Sequence, residues 1–364
     1  MLGEINCKKL IQVIESFGHL SIVSLIHYSL LIVHLIFVYD LKRQEKLISR
    51  IFKSFKCLCI LSALCSLYSL NAGESAGQAG SFLRIGLGPR AKGLGDAYTA
   101  VADNAYAPYY NPAGLAFVRS REVALSYSLL SFDRTFTYAG FSRPLPPQAG
   151  FALGVLQSGF KDSEVRLSNG ETSGEKIEDT QYTVFMGFGM RFTETFAVGI
   201  TPKLIYTKVY DVSASSVGVD FGMMYKPLPR LTLGLSIHEL GQSLDYSRDA
   251  SGFGNETTKD KFPRITKLGA AYILPLQGSV KNLLFVSDLE MNSKQSSKWH
   301  FGIEANLMNK YFLRTGLDDT DWTAGFSIPF VVKEKKFKFE YAFILDRRAG
   351  VGYGTSDFAI AYVF

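Results

Sequence analysis

The sequence predicts an all-β protein, a fourteen-stranded antiparallel transmembrane β-barrel, and three observations carry that prediction. From Glu122 onward, large apolar side chains alternate with Gly, Ser, Thr and charged residues in about fourteen successive segments, with hardly a helical stretch between them. The long connections follow odd-numbered segments, the third, seventh and thirteenth, and those after even-numbered segments are short. The last segment alternates Phe358, Ile360, Tyr362 and Phe364 with Ala359, Ala361 and Val363, and ends the chain on an aromatic residue.

The chain begins with a leader. Residues 1–72 hold all four cysteines (Cys7, Cys57, Cys59 and Cys65), so the 364-residue chain is free of thiols after that point. A Cys-free remainder rich in Gly and aromatic residues suits export to an oxidising compartment. Within residues 47–72, Arg50, Lys53 and Lys56 precede the apolar run Cys57 to Leu70, and Ala72 is a small residue at a plausible cleavage point. This is the expected signal peptide. Leu20 to Tyr39 is a second apolar run, long enough to cross a bilayer. Two export signals in tandem fit poorly, so residues 1–46 are read as an over-called start, with a genuine inner-membrane anchor as the alternative.

Residues 73–121 do not alternate. Gly86, Gly88, Gly93, Gly95 and Gly114, with Pro89, Pro108 and Pro112, predict tight turns and short pieces, and Asp96 to Ala107 reads as a short helix. Gly86-Leu87-Gly88 superficially matches a dinucleotide fingerprint, but Pro89 follows and no crossover pattern does.

The barrel, residues 122–364, supplies the strands. Their expected spans are 122–130, 134–143, 149–158, 180–192, 195–209, 213–226, 230–239, 263–275, 280–291, 297–307, 310–318, 321–332, 335–346 and 355–364. Phe337, Phe339, Tyr341 and Phe343 share one face, while Lys336, Lys338, Glu340 and Ala342 share the other. A soluble two-sheet sandwich would also alternate, but nothing in the sequence covers so many apolar faces, and lipid would. Gly159 to Asp179 and Leu240 to Phe262 are expected as long polar outer loops, opposite short periplasmic turns. The terminal strand, Phe358, Ile360, Tyr362 and Phe364, resembles the signal read by barrel-insertion machinery.

Chemistry is sparse. The net charge of +6 over the whole chain falls to +2 once the leader is removed, too little and too scattered for nucleic acid. His238 and His300 are the histidines after the leader, both on the expected lumen face and without a second His or Cys at ligand spacing, so no metal or cofactor is expected. Ser236 stands two positions before His238 on the same face, an arrangement that alternating strands produce freely. Asp318, Asp319 and Asp321 read as turn formers. Asn255-Glu256-Thr257 matches a glycosylation sequon that means little in a bacterial outer membrane. No enzyme and no catalytic residue are expected.

The run from Leu83 to Ala116 resembles the N-terminal signature of the PorV/PorQ family of outer-membrane proteins, within the FadL-like group. The resemblance rests on Gly88, Arg90, Ala91, Gly93, Gly95, Ala97, Ala100 to Asp103 and the Asn111-Pro112-Ala113-Gly114-Leu115-Ala116 block. It implies a barrel whose N-terminal segment, residues 73–121, plugs the lumen, with Arg90, Gly93, Gly95, Asp103, Asn111, Pro112, Ala113 and Gly114 as its plug motif. Arg84, Arg90, Lys92 and Asp103 then become candidates to pair with inward charges such as Arg191, Asp220, Glu304 and Glu340.

Two functions follow from the resemblance. A PorV-like protein would bind secreted cargo carrying a C-terminal sorting domain, as in type IX secretion, through its outer loops. A FadL-like protein would instead carry hydrophobic molecules such as long-chain fatty acids passively across the outer membrane. Phe160, Leu167, Leu244, Tyr246 and Phe253 are the candidates that the two loops offer for capturing such a ligand. Their scarcity puts the cargo reading first. Outer-membrane lipid and the barrel-insertion machinery are the partners common to both.

Overall fold

The computed structural model describes residues 78–130, 134–166, 171–210, 212–248, 258–345 and 354–364. The leader, the sequon, Leu167, Phe253 and the Gly-rich connection after Leu345 lie outside the described residues.

Fourteen strands close into one antiparallel barrel. They are β1 (Glu122–Leu129), β2 (Thr135–Leu145), β3 (Ala149–Arg166), β4 (Thr172–Arg191), β5 (Phe196–Val209), β6 (Val212–Leu228), β7 (Leu231–His238), β10 (Ile265–Pro275), β11 (Val280–Asn292), β12 (Lys298–Leu307), β13 (Tyr311–Asp318), β14 (Asp321–Val332), β15 (Lys335–Leu345) and β16 (Thr355–Val363). Each pairs with its neighbours in sequence, and β1 pairs with β16 in the register Tyr127↔Phe358, which closes the sheet. Closure leaves no open edge in the ring of fourteen, so the strands' backbone groups find most of their partners within the sheet. β8 (Ser243–Arg248) and β9 (Thr258–Lys261) are a hairpin outside this count.

Alternation decides which face meets lipid. On β1, Ala124, Ser126 and Ser128 are buried, while Leu125, Tyr127 and Leu129 are exposed. Outward aromatics mark two belts: Tyr127, Tyr182, Tyr206, Trp299 and Trp322 near the long-loop end, and Phe192, Tyr225, Tyr272, Phe330 and Phe364 near the short-turn end. Aliphatic residues such as Val155, Leu204 and Leu268 are exposed between them. Aromatic girdles flanking an apolar band are what a barrel in a bilayer presents.

Two expected loops are more ordered than their composition suggested. Gly159 to Asp179 is mostly strand: β3 runs on to Arg166 and β4 begins at Thr172, with pairing through Arg166↔Thr172. Polar composition did not signal a loop here, because a ladder that rises beyond the membrane needs no apolar face. Leu240 to Phe262 contains the β8–β9 hairpin, and β8 pairs with the upper part of β6 in the register Ala214↔Tyr246. β7 stops at His238, so β6 is shared by β7 below and β8 above.

Residues 78–118 lie inside the barrel. They form short 3-10 turns at Ser81–Arg84 and Pro112–Phe117 and single helical turns at Pro89–Lys92 and Ala107–Tyr110. The short helix expected over Asp96 to Ala107 is absent. Asp96 adopts φ 63°, and the chain there runs in turns that bring Ala100 and Thr99 against the wall. Leu87, Leu94, Tyr98, Tyr106, Tyr110 and Leu115 in this segment are almost wholly buried, so the core of the molecule is the lumen.

Candidate functional site: the barrel interior

The luminal segment rests on a belt of wall glycines. Gly150, Gly189, Gly199 and Gly222 are directly opposed across β3, β4, β5 and β6. The Asn111-Pro112-Ala113 stretch and Leu115 lie against them. A Cβ on Gly189 would come within 2.9 Å of Ala116 N and 3.0 Å of Leu115 Cβ, and one on Gly222 within 2.8 Å of Pro112 Cδ. The belt continues with the opposed pair Gly234–Gly269, which meets Thr99 and Ala100, and the opposed pair Gly302–Gly316, which meets Leu94 and Gly95. A bare backbone on each inward position lets the two main chains touch, and a side chain there would push them apart.

β11 breaks the belt with a carboxylate. Asp288, opposite Gly269, accepts the backbone N–H groups of Tyr98 (3.0 Å) and Thr99 (2.9 Å) through Oδ2. Those donors sit in a turn and have no strand partner, so Asp288 fills the need that a ladder meets elsewhere.

Asn111 ties the segment to itself and to β6. Its side-chain amide donates to Thr99 O at 2.8 Å and to Met223 O at 3.1 Å, while Oδ1 accepts from Ala113 N and caps the turn that follows. Gly95 has φ 64°, its N–H donates to Thr323 Oγ1 at 3.1 Å, and a Cβ would strike the Leu317 backbone at about 2.5 Å, so position 95 admits only glycine. Gly93 packs on Gly325 and Arg314, and Gly114 on Ala102. Of the expected plug motif, Gly93, Gly95, Asn111, Pro112, Ala113 and Gly114 thus lie in the segment's own turns or against the wall.

Ion pairs fasten the other side. Arg90 pairs with Glu304 of β12 at 3.2 Å and with Asp103 of its own segment at 2.8 Å. Glu304 also takes Arg314 Nε at 2.6 Å, and Arg314 lies 3.6 Å from Glu340. Lys92 reaches Asp357 at 3.4 Å and Ser128 at 3.1 Å. The Arg90–Glu304 pairing was among those weighed from sequence; Lys92–Asp357 was not. The remaining candidates pair elsewhere: Asp220 with Lys203, Arg191 with Glu194, and Glu340 with Lys338 and Arg314. Arg84 hydrogen-bonds Ala79 O and forms no ion pair among the described residues.

Near the long-loop end a cavity of about 30 Å³, room for one water, is lined by charged side chains including Arg84, Lys203, Glu239, Lys267 and Glu290. Lys203 bridges Asp220 and Glu239 at 2.8 Å each, and Lys267 holds Glu290 at 2.8 Å. Burial raises the Glu239 carboxyl above its usual range, with Lys203 opposing the shift. His238 Nε2 is 2.9 Å from Ser236 Oγ, and His238 Nδ1 is 3.2 Å from Asp220 Oδ2. This has the order of a Ser-His-Asp relay. Ser236 is fully buried, however, and Asp220 is already committed to Lys203 and the Glu239 N–H, so the trio acts as packing within the wall. His300 likewise bonds Gly95 O and Asp318. No group of metal-ligating side chains occurs among the described residues.

Sequence reasoning missed Asp288, the Lys203–Glu239 and Lys267–Glu290 pairs and the role of the wall glycines. The glycines were visible as recurrent inward positions. The acids and lysines resembled ordinary lumen solvation.

The fold has solved counterparts. The toluene transporter TodX of Pseudomonas putida matches with a TM-score of 0.55 at 12% identity, over 76% of this chain and 98% of its own. The monoaromatic hydrocarbon channel CymD matches with a TM-score of 0.53 at 12% identity, over 77% and 97%. The chain shares the barrel fold of these two proteins. No family model and no curated protein matches the sequence.

Proposed function

We propose that this chain is an outer-membrane barrel for passive entry of hydrophobic small molecules, with residues 78–118 as its plug. The observation that carries the reading is the fold shared with two hydrocarbon channels over nearly their whole length. The lumen agrees with a closed, selective barrel rather than an open pore, because the plug backbone packs directly on the wall along the glycine belt. The wall itself has weak places. The β4–β5 ladder lacks pairs for Met186 and Gly187 opposite Thr201 and Pro202, where proline has no N–H to give, and Gly187 lies against Pro108 and Leu115 of the plug. Passage requires either a shift of the plug or an opening of the wall beside it.

The cargo-binding reading, first from sequence, rests on the resemblance over Leu83 to Ala116 and gains no support from these matches. The outer hairpin also offers little for a ligand groove, since Leu244 is buried and Tyr246 packs on the core. Gentle detergent purification from native outer membrane, with mass spectrometry of lipid and protein fractions, tests the choice. Bound apolar molecules without a protein partner support transport. Stoichiometric secreted proteins sharing a C-terminal domain would overturn it.

A further inference from the structure

The charge on the two rims is unequal. The short-turn rim carries Arg230, Lys281, Lys310, Lys333, Lys335 and Lys336, all exposed, against exposed Glu194 and Glu334. Among the described residues, none of these six cations has a carboxylate within salt-bridge distance. The opposite rim mixes signs, as in the Lys259–Asp245 pair at 3.5 Å. Two of the six also show where the rim faces. Lys310 Nζ lies 5.2 Å from the Tyr311 ring and Lys335 Nζ 5.9 Å from the Tyr362 ring. Both tyrosines stand on the lipid-facing side of their strands, out of phase with buried Arg314 and Ala361. The cations are thus at the level of the lower aromatic belt and beside the bilayer, not over the lumen mouth.

We propose that this rim is a binding surface for anionic phospholipid, the headgroup phosphates of the inner leaflet bridging neighbouring turns. Ammonium groups beside interfacial tyrosines match a phosphate above acyl chains, with the ring taking the glycerol and the cation the charge. A soluble acidic partner would be met by cations pointing to water, and Lys310 and Lys335 instead fold back onto outward rings. Assigning the rim to the inner leaflet rests on the outer-membrane reading.

The test places the full barrel in nanodiscs of equal phosphatidylcholine and phosphatidylglycerol, then counts co-released lipids by native mass spectrometry. The wild type is expected to retain phosphatidylglycerol about fivefold or more over phosphatidylcholine, with the preference falling as salt rises. The variant Arg230→Gln/Lys281→Gln/Lys310→Gln/Lys335→Gln should lose it, while Lys208→Gln/Lys259→Gln/Lys261→Gln/Arg264→Gln on the opposite rim should keep it. No preference in the wild type would overturn the proposal, as would equal loss in both variants, or capture of an acidic soluble protein without lipid selectivity. Should the rim variant fail to fold, the wild type's salt response alone decides, and insensitivity to salt overturns it. Nanodisc selectivity does not depend on transport, so its failure leaves the transport reading standing.

Discussion

Asn111 Oδ1 occupies the space a side chain on Gly222 would need, so the plug and β6 share one position between them. Asn111 turns that proximity into three hydrogen bonds, to Thr99 O, to Met223 O and from Ala113 N. Asn111→Ala should therefore cost about 2–4 kcal/mol, because a buried carbonyl and a turn N–H lose their partners. Gly222→Ala should cost about 1–3 kcal/mol through overpacking at the same spot. Denaturant unfolding of the purified barrel, read by loss of its compact gel mobility, checks both. Unchanged midpoints would mean that the plug is not seated on β6.

Asp288 makes a sharper prediction. Asp288→Ala removes the only acceptor shown for the Tyr98 and Thr99 N–H groups and should destabilise by about 1–3 kcal/mol for each donor left unpaired. Asp288→Asn keeps a carbonyl oxygen that can accept both, so it should retain most of the stability. Equal loss in the two variants would mean that the charge matters and the two bonds do not.

The fold was largely legible in the sequence, and the reason is physical. Each strand faces lipid on one side and a wet or packed lumen on the other, so the period of two is enforced along its whole membrane-crossing length. All fourteen spans therefore fall within a few residues of their expected places, apart from the upper ends of β3 and β4. There the lipid constraint ends, and Ser163, Glu164 and Arg166 pair with Ile177, Lys176 and Thr172 in a ladder that composition alone does not reveal. The interior was legible only in part. Gly189 and Gly199 stand out as inward glycines, but that they oppose each other is a matter of register between strands. Asp288 looks like any lumen acid until the turn at Tyr98 is brought against it.

Ser236, His238 and Asp220 provide a test of the absence of catalysis. Their order suggests a hydrolase relay, yet the serine is fully buried. A fluorophosphonate probe applied to the folded barrel should leave Ser236 unlabelled, by peptide mass spectrometry. Stoichiometric labelling that is lost in His238→Ala would show an activated, reachable nucleophile and refute the packing role.

The thiol-free chain after residue 72 allows the plug to be locked. A Cβ on Gly189 would lie 3.0 Å from Leu115 Cβ, short of the usual disulfide range, and would press on the Pro112 and Ala116 backbone, so Leu115→Cys/Gly189→Cys should cross-link on oxidation only with the plug displaced slightly from its seat, at a cost of about 1–3 kcal/mol. If molecules pass through the wall beside a fixed plug, the oxidised pair should transport at the reduced rate. If the plug must leave its seat, oxidation should abolish transport and reductant restore it.

The central claim is that the barrel admits hydrophobic molecules across an outer membrane while staying closed to polar ones. Its most direct test compares cells with and without the protein, in an otherwise matched intact outer membrane, for entry of labelled toluene, a labelled long-chain fatty acid and a small sugar. The account predicts faster entry of at least one hydrophobic probe in the expressing cells and no change for the sugar. Equal entry of both hydrophobic probes in the two strains, or a parallel rise in sugar entry, would contradict it.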